Sequence, residues 1–282
     1  MSSVRPAAVA GFFYPGDPAR LRADVERMLA DARARAAAAG RAPGPLAALV
    51  VPHAGYRYSG PTAADGYALV DPVTVDRVLL LGPTHRVGIR GIAHDGAEAF
   101  ATPLGGAAVD LDLAVRALAH DGVVVAPRVH AEEHSLEVHL PFLQTVLPHA
   151  PVLPLAVGEA PPEAVADLIA DLADDPRTLV VVSSDLSHFE SYDAARRHDA
   201  ATIERILAND ATLGPRDACG VRPLNGLLVH AARTGMRLEL ISACNSGDTP
   251  DGDRGRVVGY ATLAARPAAP ADTGTGTEEA AA

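Results

Sequence analysis

The chain has 282 residues, 48% of them apolar, which is enough for one sizeable hydrophobic core. Its formal net charge of −11 excludes a non-specific nucleic-acid binder, which needs a basic face. Two cysteines, Cys219 and Cys244, are too few for a disulfide framework, and no window approaches the roughly 18 apolar residues of a membrane span.

In chain order, Asp17 and Pro18 read as the cap and first residue of a helix reaching about residue 39, ahead of a Gly/Pro breaker at 40–45. A short apolar strand at 46–51 runs into P-H-A-G-Y-R-Y-S-G. His53 sits in that turn, and Gly55 is read as permitting a tight reversal. Ser59 or Thr62 is expected to cap the next helix, through Leu69. The strand at 77–81 ends in G-P-T-H-R, which carries His85. An excursion at 89–109 reads as a hairpin, followed by a helix at 110–120 and a short strand at 123–125.

The segment 130–144, H-A-E-E-H-S-L-E-V-H-L-P-F-L-Q, reads as a polar entry to a helix. A strand at 152–157 and a helix at 161–172 lead to a β-branched strand at 178–182, then to S-S-D-L-S-H with Asp185 and His188. Helices at 192–207 and 224–234 and strands at 238–241 and 256–264 complete the pattern. Alternating strands and helices predict one α/β domain over residues 1–266, with a mostly parallel central sheet and helices on both faces. Residues 267–282, rich in alanine, proline, glycine and threonine, are expected to form a disordered tail. The opening residues lack a signal-peptide core, so the expectation is a cytoplasmic protein without nucleic-acid or membrane partners.

Parallel strands present their carboxyl ends on one edge, where open α/β sheets bind ligands. That edge would receive His53, His85, the Asp185/His188 pair, and Cys244 with Asp248. Two imidazoles and a carboxylate form the ligand set of a facial-triad Fe(II) site, and zinc accepts the same donors. His53 and His85 are read as metal ligands on this ground. Asp185 either orients His188 as an acid/base or caps the following helix, since S-S-D is ordinary capping chemistry. On a helix His134 and Glu137 share a face and His139 lies well round the axis, so His134 and Glu137 are read as supporting the site; the alternative is a solvated helix start. Asp248 is a ligand or part of a solvated turn. Cys244 is the soft alternative third ligand or, like Cys219, a small buried hydrophobe.

The motifs G-F-F-Y-P, P-H-A-G-Y-R-Y-S-G, L-G-P-T-H, E-H-S-L-E-V-H-L-P-F, S-S-D-L-S-H, A-C-G-V-R-P and V-V-G-Y-A, in this order, resemble the MEMO family over residues 4–264. Its prokaryotic members are also labelled AmmeMemoRadiSam system protein B. The resemblance implies a fold similar to class III extradiol dioxygenases. It also implies that His53 and His85 are the histidine ligands and His188 the acid/base histidine, accompanied by Asp185. Asp248 stands nearest the third ligand position, with Cys244 just before it. Fe(II) is the implied ion, with Cu if a thiolate completes the set, and Zn as a further candidate. An AMMECR1-like protein and a radical-SAM protein are the implied partners.

Three functions follow as expectations. The first is a metal-dependent oxidoreductase acting on a small molecule in a pocket walled by Phe12, Phe13, Tyr14 and Tyr56. The second is a non-catalytic module that binds a peptide or phospho-ligand in the same cleft through Arg57 and Arg86. The third is a structural partner in which the metal acts as a staple.

Overall fold

The computed structural model describes residues 3–250 and 252–267, so the tail from residue 268 lies outside the described residues. After β1 (Val4–Arg5), Asp17 caps α1 (Pro18–Ala38) by accepting the Arg20 N–H at 2.8 Å, with Pro18 where no N–H is needed. Leu21, Val25, Met28, Leu29 and Ala32 recur at helical spacing and form its buried face. β2 (Ala48–Val51) leads through the first histidine turn to α2 (Tyr56–Tyr67). The two helices pack closely at Gly60, where a Cβ would stand 2.7 Å from the Met28 sulfur.

β3 (Arg77–Pro83) ends at the second histidine turn. The excursion contains β4 (Ile92–His94) and a hairpin of β5 (Ala99–Thr102) and β6 (Gly105–Ala108). Then come α3 (Leu111–Ala117), β7 (Val123–Val125), the single turn α4 (Pro127–His130) and α5 (Leu140–Val146), which a 3-10 turn at Glu137–His139 precedes. β8 (Val152–Val157), α6 (Pro162–Leu172) and β9 (Thr178–Ser183) follow. The chain closes with β10 (His188–Glu190), α7 (Tyr192–Leu207), α8 (Val221–Thr234), β11 (Leu238–Asn245) and β12 (Val257–Ala265). Among the described residues no helix is long and apolar enough to cross a membrane.

The main sheet has the order β10-β12-β2-β9-β3-β8-β4-β7, with β11 paired to β12, while β1, β5 and β6 form a small second sheet. Helices flank it: α8 lies on β3 and β9 with α6 against it, and α2 packs on β2, β11 and β12 with α1 behind. The central strands are parallel, as the strand–helix alternation suggested, and the sheet as a whole is mixed rather than purely parallel. β2, β9, β3 and β8 are parallel, but β4 runs antiparallel to β8, and β12 antiparallel to β2, β10 and β11. The cause lies in the connections. No α-helix separates β3 from β4 or β11 from β12, and only a crossover of a dozen or more residues returns a strand parallel.

The parallel quartet is nonetheless the centre of the core. Every residue of β2, β8 and β9 is buried, and β3 is buried from Val78 onward, which is why these strands read as continuous apolar runs. β2, β9 and β3 are neighbours, so their carboxyl ends bring the loops after Val51, Ser183 and Pro83 side by side.

Candidate metal centre

His53 follows β2 and Pro52 and is only 2% exposed. Its backbone N–H donates to Asp185 Oδ1 at 2.7 Å, tying the β2 turn to the β9 turn, and its ring Nδ1 lies 2.6 Å from Ser183 Oγ. Gly55 in this turn has φ −55, so the reversal here needs no left-handed conformation. Its small size matters instead: the Phe13 carbonyl oxygen sits 3.4 Å from where a Cβ would be and accepts the Tyr56 N–H at 2.7 Å. That contact starts α2 at Tyr56. Ser59 and Thr62 lie inside the helix, and Ser59 donates to the Ala54 carbonyl at 3.0 Å.

His85 follows β3 and is held by Glu133, which accepts its backbone N–H at 2.5 Å and lies 2.9 Å from its Nδ1. Glu133 Oε1 also accepts the N–H groups of His134 and Ser135 at 3.0 Å. Burial alone would raise this carboxyl; the hydrogen bonds and charge of His85 and the Ser135 N–H prevail and hold it down at about 2. Residues around His134 form turns rather than an α-helix, so helical-wheel reasoning does not govern where that side chain points. His134 stacks on His85 with ring centres 4.7 Å apart, and the Phe13 ring lies 4.6 Å from it.

The result is a convergence of imidazoles. Ligand atoms of His53, His85 and His134 all lie within 4.8 Å of one another. A second group on the same scale joins His53 to Asp185 and Cys219. Cys219, just ahead of α8, puts its sulfur 3.2 Å from His53 Nε2 and accepts the Asp185 N–H at 3.3 Å. The sequence reading gave Cys219 no role beyond packing.

Burial and then the neighbouring imidazoles His85, His134, His139 and His188 hold His53 well below the usual histidine range. Burial lowers His134 to about 4, against the pull of Glu133, and His139 to about 3. His53 and His134 are therefore neutral at pH 7, the form that binds metal. Burial pushes the Asp185 carboxyl up to about 7, although the His53 and Ala54 N–H groups and His85 draw it down. Burial and the Asp185 charge push the Cys219 thiol up.

His188 opens β10 at the rim, exposed, with Nδ1 2.8 Å from the Leu186 carbonyl. The next residue, Phe189, has φ +63 at the irregularity where β10 pairs with β12, a conformation uncommon for a bulky residue that re-aims the strand. Partial desolvation and His85 lower His188, against the hydrogen bond to Leu186.

Glu137 points away from the imidazoles. It forms a buried ion pair with Arg5, accepts the Ala8 and Val9 N–H groups, and takes the Tyr14 hydroxyl at 2.5 Å, so it anchors the N-terminal segment. Tyr56 donates to the Val138 carbonyl at 2.7 Å and packs on Tyr14 and Phe142. Of the expected aromatic walls, Phe13 touches His134, while Phe12 is 88% exposed. Arg57 lies over the Tyr58 ring, 4.5 Å from its centre.

Asp248 and Cys244 belong to neither ligand group. Asp248 completes a capping box by accepting the Asn245 N–H at 2.9 Å and takes the Tyr192 hydroxyl at 2.5 Å, so both of its oxygens are engaged. Cys244 points to Thr62 Oγ1 at 3.0 Å, between β11 and α2. The groups that could hold an ion contain His134, Asp185 and Cys219 instead. For Glu133 the only signal in the sequence was its membership of a crowded polar turn; for Cys219 it was the A-C-G motif.

A family model described as Memo-like protein matches residues 5–264. A MEMO1 family protein of Methanopyrus kandleri is 36% identical over 280 residues, covering 93% of this chain and 99% of its own length. One from Methanosarcina mazei is 34% identical over 275 residues, covering 92% and 98%. Among solved structures, the crystal structure of an uncharacterized Escherichia coli K12 protein gives a TM-score of 0.46 at 13% identity, covering 78% of this chain and 99% of that one.

Proposed function

The chain belongs to the Memo-like protein family, and on that premise we propose that it binds a metal ion through His53 and His85, with a third donor drawn from His134, Asp185 and Cys219. The observation that supports this reading is that the converging imidazoles already have their other nitrogens committed: His53 Nδ1 to Ser183 and His85 Nδ1 to Glu133. Metal-binding histidines are oriented in this way by a partner on the far nitrogen. His134 Nδ1 lies 3.4 Å from the same Glu133 oxygen, so this one carboxylate faces both the His85 and the His134 rings. The donors fit a divalent transition metal.

When bound, such an ion supplies Lewis-acid chemistry and, as Fe(II) or Cu, redox chemistry. Imidazoles with the Asp185 carboxylate suit Fe(II), whereas Cys219 as the third donor would draw Cu or Zn. On this reading the protein is a metal-dependent oxidoreductase of the extradiol type. Glu133 and Ser183 hold the ligands, Phe13 excludes water beside His134, and His188 exchanges a proton from the rim.

One observation favours a second reading, a ligand-binding pocket without turnover. A cleft of about 500 Å³ reaches Cys219 and is lined by Thr84, Arg90, Glu159 and Arg222. Arg90 and Arg222 suit an anionic group on the ligand.

Elemental analysis of anaerobically purified protein tests the metal reading, with His53→Ala and His85→Ala alongside. The expected result is near-stoichiometric metal in the wild type and its loss from both variants, with circular dichroism unchanged. Full metal content in both variants would refute it, as would a wild type that takes up none of Fe(II), Cu or Zn. Metal-dependent oxygen uptake with a catechol-type substrate separates the enzyme from the pocket.

A further inference from the structure

We propose that Ser183 is a positioning residue: its hydroxyl holds the ring proton of His53 on Nδ1 and leaves Nε2 as the lone pair facing the site. The functional weight of this inference rests on the reading of His53 as a metal ligand; the proton placement itself does not.

The protons around Ser183 are few enough to count. Ser183 ends β9 and is fully buried. Its Oγ lies 2.6 Å from the Ser135 carbonyl oxygen, 2.6 Å from His53 Nδ1 and 2.8 Å from His139 Nε2. A hydroxyl has one proton and two lone pairs. The Ser135 carbonyl can only accept, so the hydroxyl proton goes to it; any other orientation sets two oxygen lone pairs against each other at 2.6 Å. Both imidazole nitrogens must then arrive as N–H donors to the two lone pairs that remain.

The neighbours close the count without conflict. His139, with its proton on Nε2, presents a bare Nδ1 to the Tyr67 hydroxyl at 3.0 Å, and Tyr67 donates there. On the other side of His53, bare Nε2 faces the Cys219 sulfur at 3.2 Å and is a nearer acceptor for the thiol than the Asp185 carbonyl at 3.7 Å. Ser135, Ser183, His139 and Tyr67 are each no more than 1% exposed, so bulk water does not offer alternative partners. Without metal, the Cys219 proton therefore points at the nitrogen that an ion would take.

Ser183 and Glu133 thus do the same work by different means. A carboxylate can only accept, so Glu133 also holds the His85 proton on Nδ1. A charged partner makes its imidazole more basic, whereas a hydroxyl orients without adding charge. At His53 the neutral device fits, because the buried Asp185 carboxyl already bonds to that residue's backbone N–H.

The test reads the imidazole nitrogens of uniformly 15N-labelled, metal-free protein by long-range 1H–15N correlation at pH 7. The expected wild-type pattern for His53 is a protonated Nδ1 and a bare Nε2. Ser183→Ala is expected to shift His53 to a mixture of tautomers and to weaken metal binding about 10- to 100-fold; Ser183→Thr, which restores the hydroxyl, is expected to recover both. A proton on Nε2 in the wild type would overturn the proposal, and this measurement needs no variant to fold. An unchanged His53 pattern in folded Ser183→Ala would overturn it too. The metal reading can fail separately: a wild type with the expected pattern that binds no metal keeps the proton placement and loses only the ligand role.

Discussion

Replacing Glu133 with glutamine keeps the shape of the side chain and removes its charge. The carboxylate accepts from the His85 N–H through Oε2 and from His85 Nδ1, His134 N–H and Ser135 N–H through Oε1. Glutamine offers one accepting oxygen and one NH₂ group, so in either orientation at least one of these donors meets another donor. In the wild type the carboxyl lies at about 2 against an ordinary 4.5, a difference worth about 3 kcal/mol. The side chain is 1% exposed, so solvent screening takes little from that figure. Because the folded value is depressed, this stability is fully present above pH 4.5 and is lost as the pH falls from there towards 2. Glu133→Gln should therefore cost about 1 to 3 kcal/mol at pH 7, since part of the hydrogen bonding survives. Metal affinity should fall about 10- to 100-fold as His85 loses its orientation. Urea unfolding of the metal-free protein at pH 7 gives the first quantity and chelator competition the second. A stability change under about 0.5 kcal/mol, the scale of an ordinary surface substitution, together with unchanged metal affinity would refute the reasoning.

The metal-free protein should be acid-sensitive well above the carboxylate range. Folding lowers His134 to about 4 and His139 to about 3 from 6.5, so the unfolded chain takes up these protons first. The contribution of these two histidines is complete above pH 6.5 and declines as the pH falls through 6.5 towards 4 and 3. Asp185, raised to about 7, acts in the opposite sense below that pH, and the two histidines together outweigh it, so a melting temperature that stays level from pH 8 to 5 would contradict this. Asp248→Asn and Cys219→Ala, compared side by side, decide between two third ligands. Asp248→Asn should cost about 1 kcal/mol of cap stability and leave metal content unchanged, whereas Cys219→Ala should weaken metal retention. Metal lost from the first variant and kept in the second would favour the ligand set read from the motifs.

Local chemistry made much of the scaffold legible. Pro18 after Asp17 marks the start of α1, and the apolar runs of β2, β3, β8 and β9 mark strands buried on both faces. From those strands alone, His53, His85 and Asp185 could be placed on one edge, because each follows its strand by a few residues and parallel strands end together. Neighbours in sequence carry that much.

The rest is a matter of partners far apart in the chain. Strand pairing decided that β4 and β12 run antiparallel, since the lengths of their connections permit it. Packing brought Cys219 to His53 across 166 positions and Glu133 to His85 across 48. It also gave Asp248 to Tyr192, 56 positions away. The His53 tautomer is the clearest case. S-S-D reads locally as a cap, and only the carbonyl of Ser135 and the ring of His139, brought to the end of β9 by the fold, determine where the Ser183 proton goes. Periodicity sets which face a residue occupies; a hydrogen-bond partner is set by what the tertiary structure places within 3 Å or so of it.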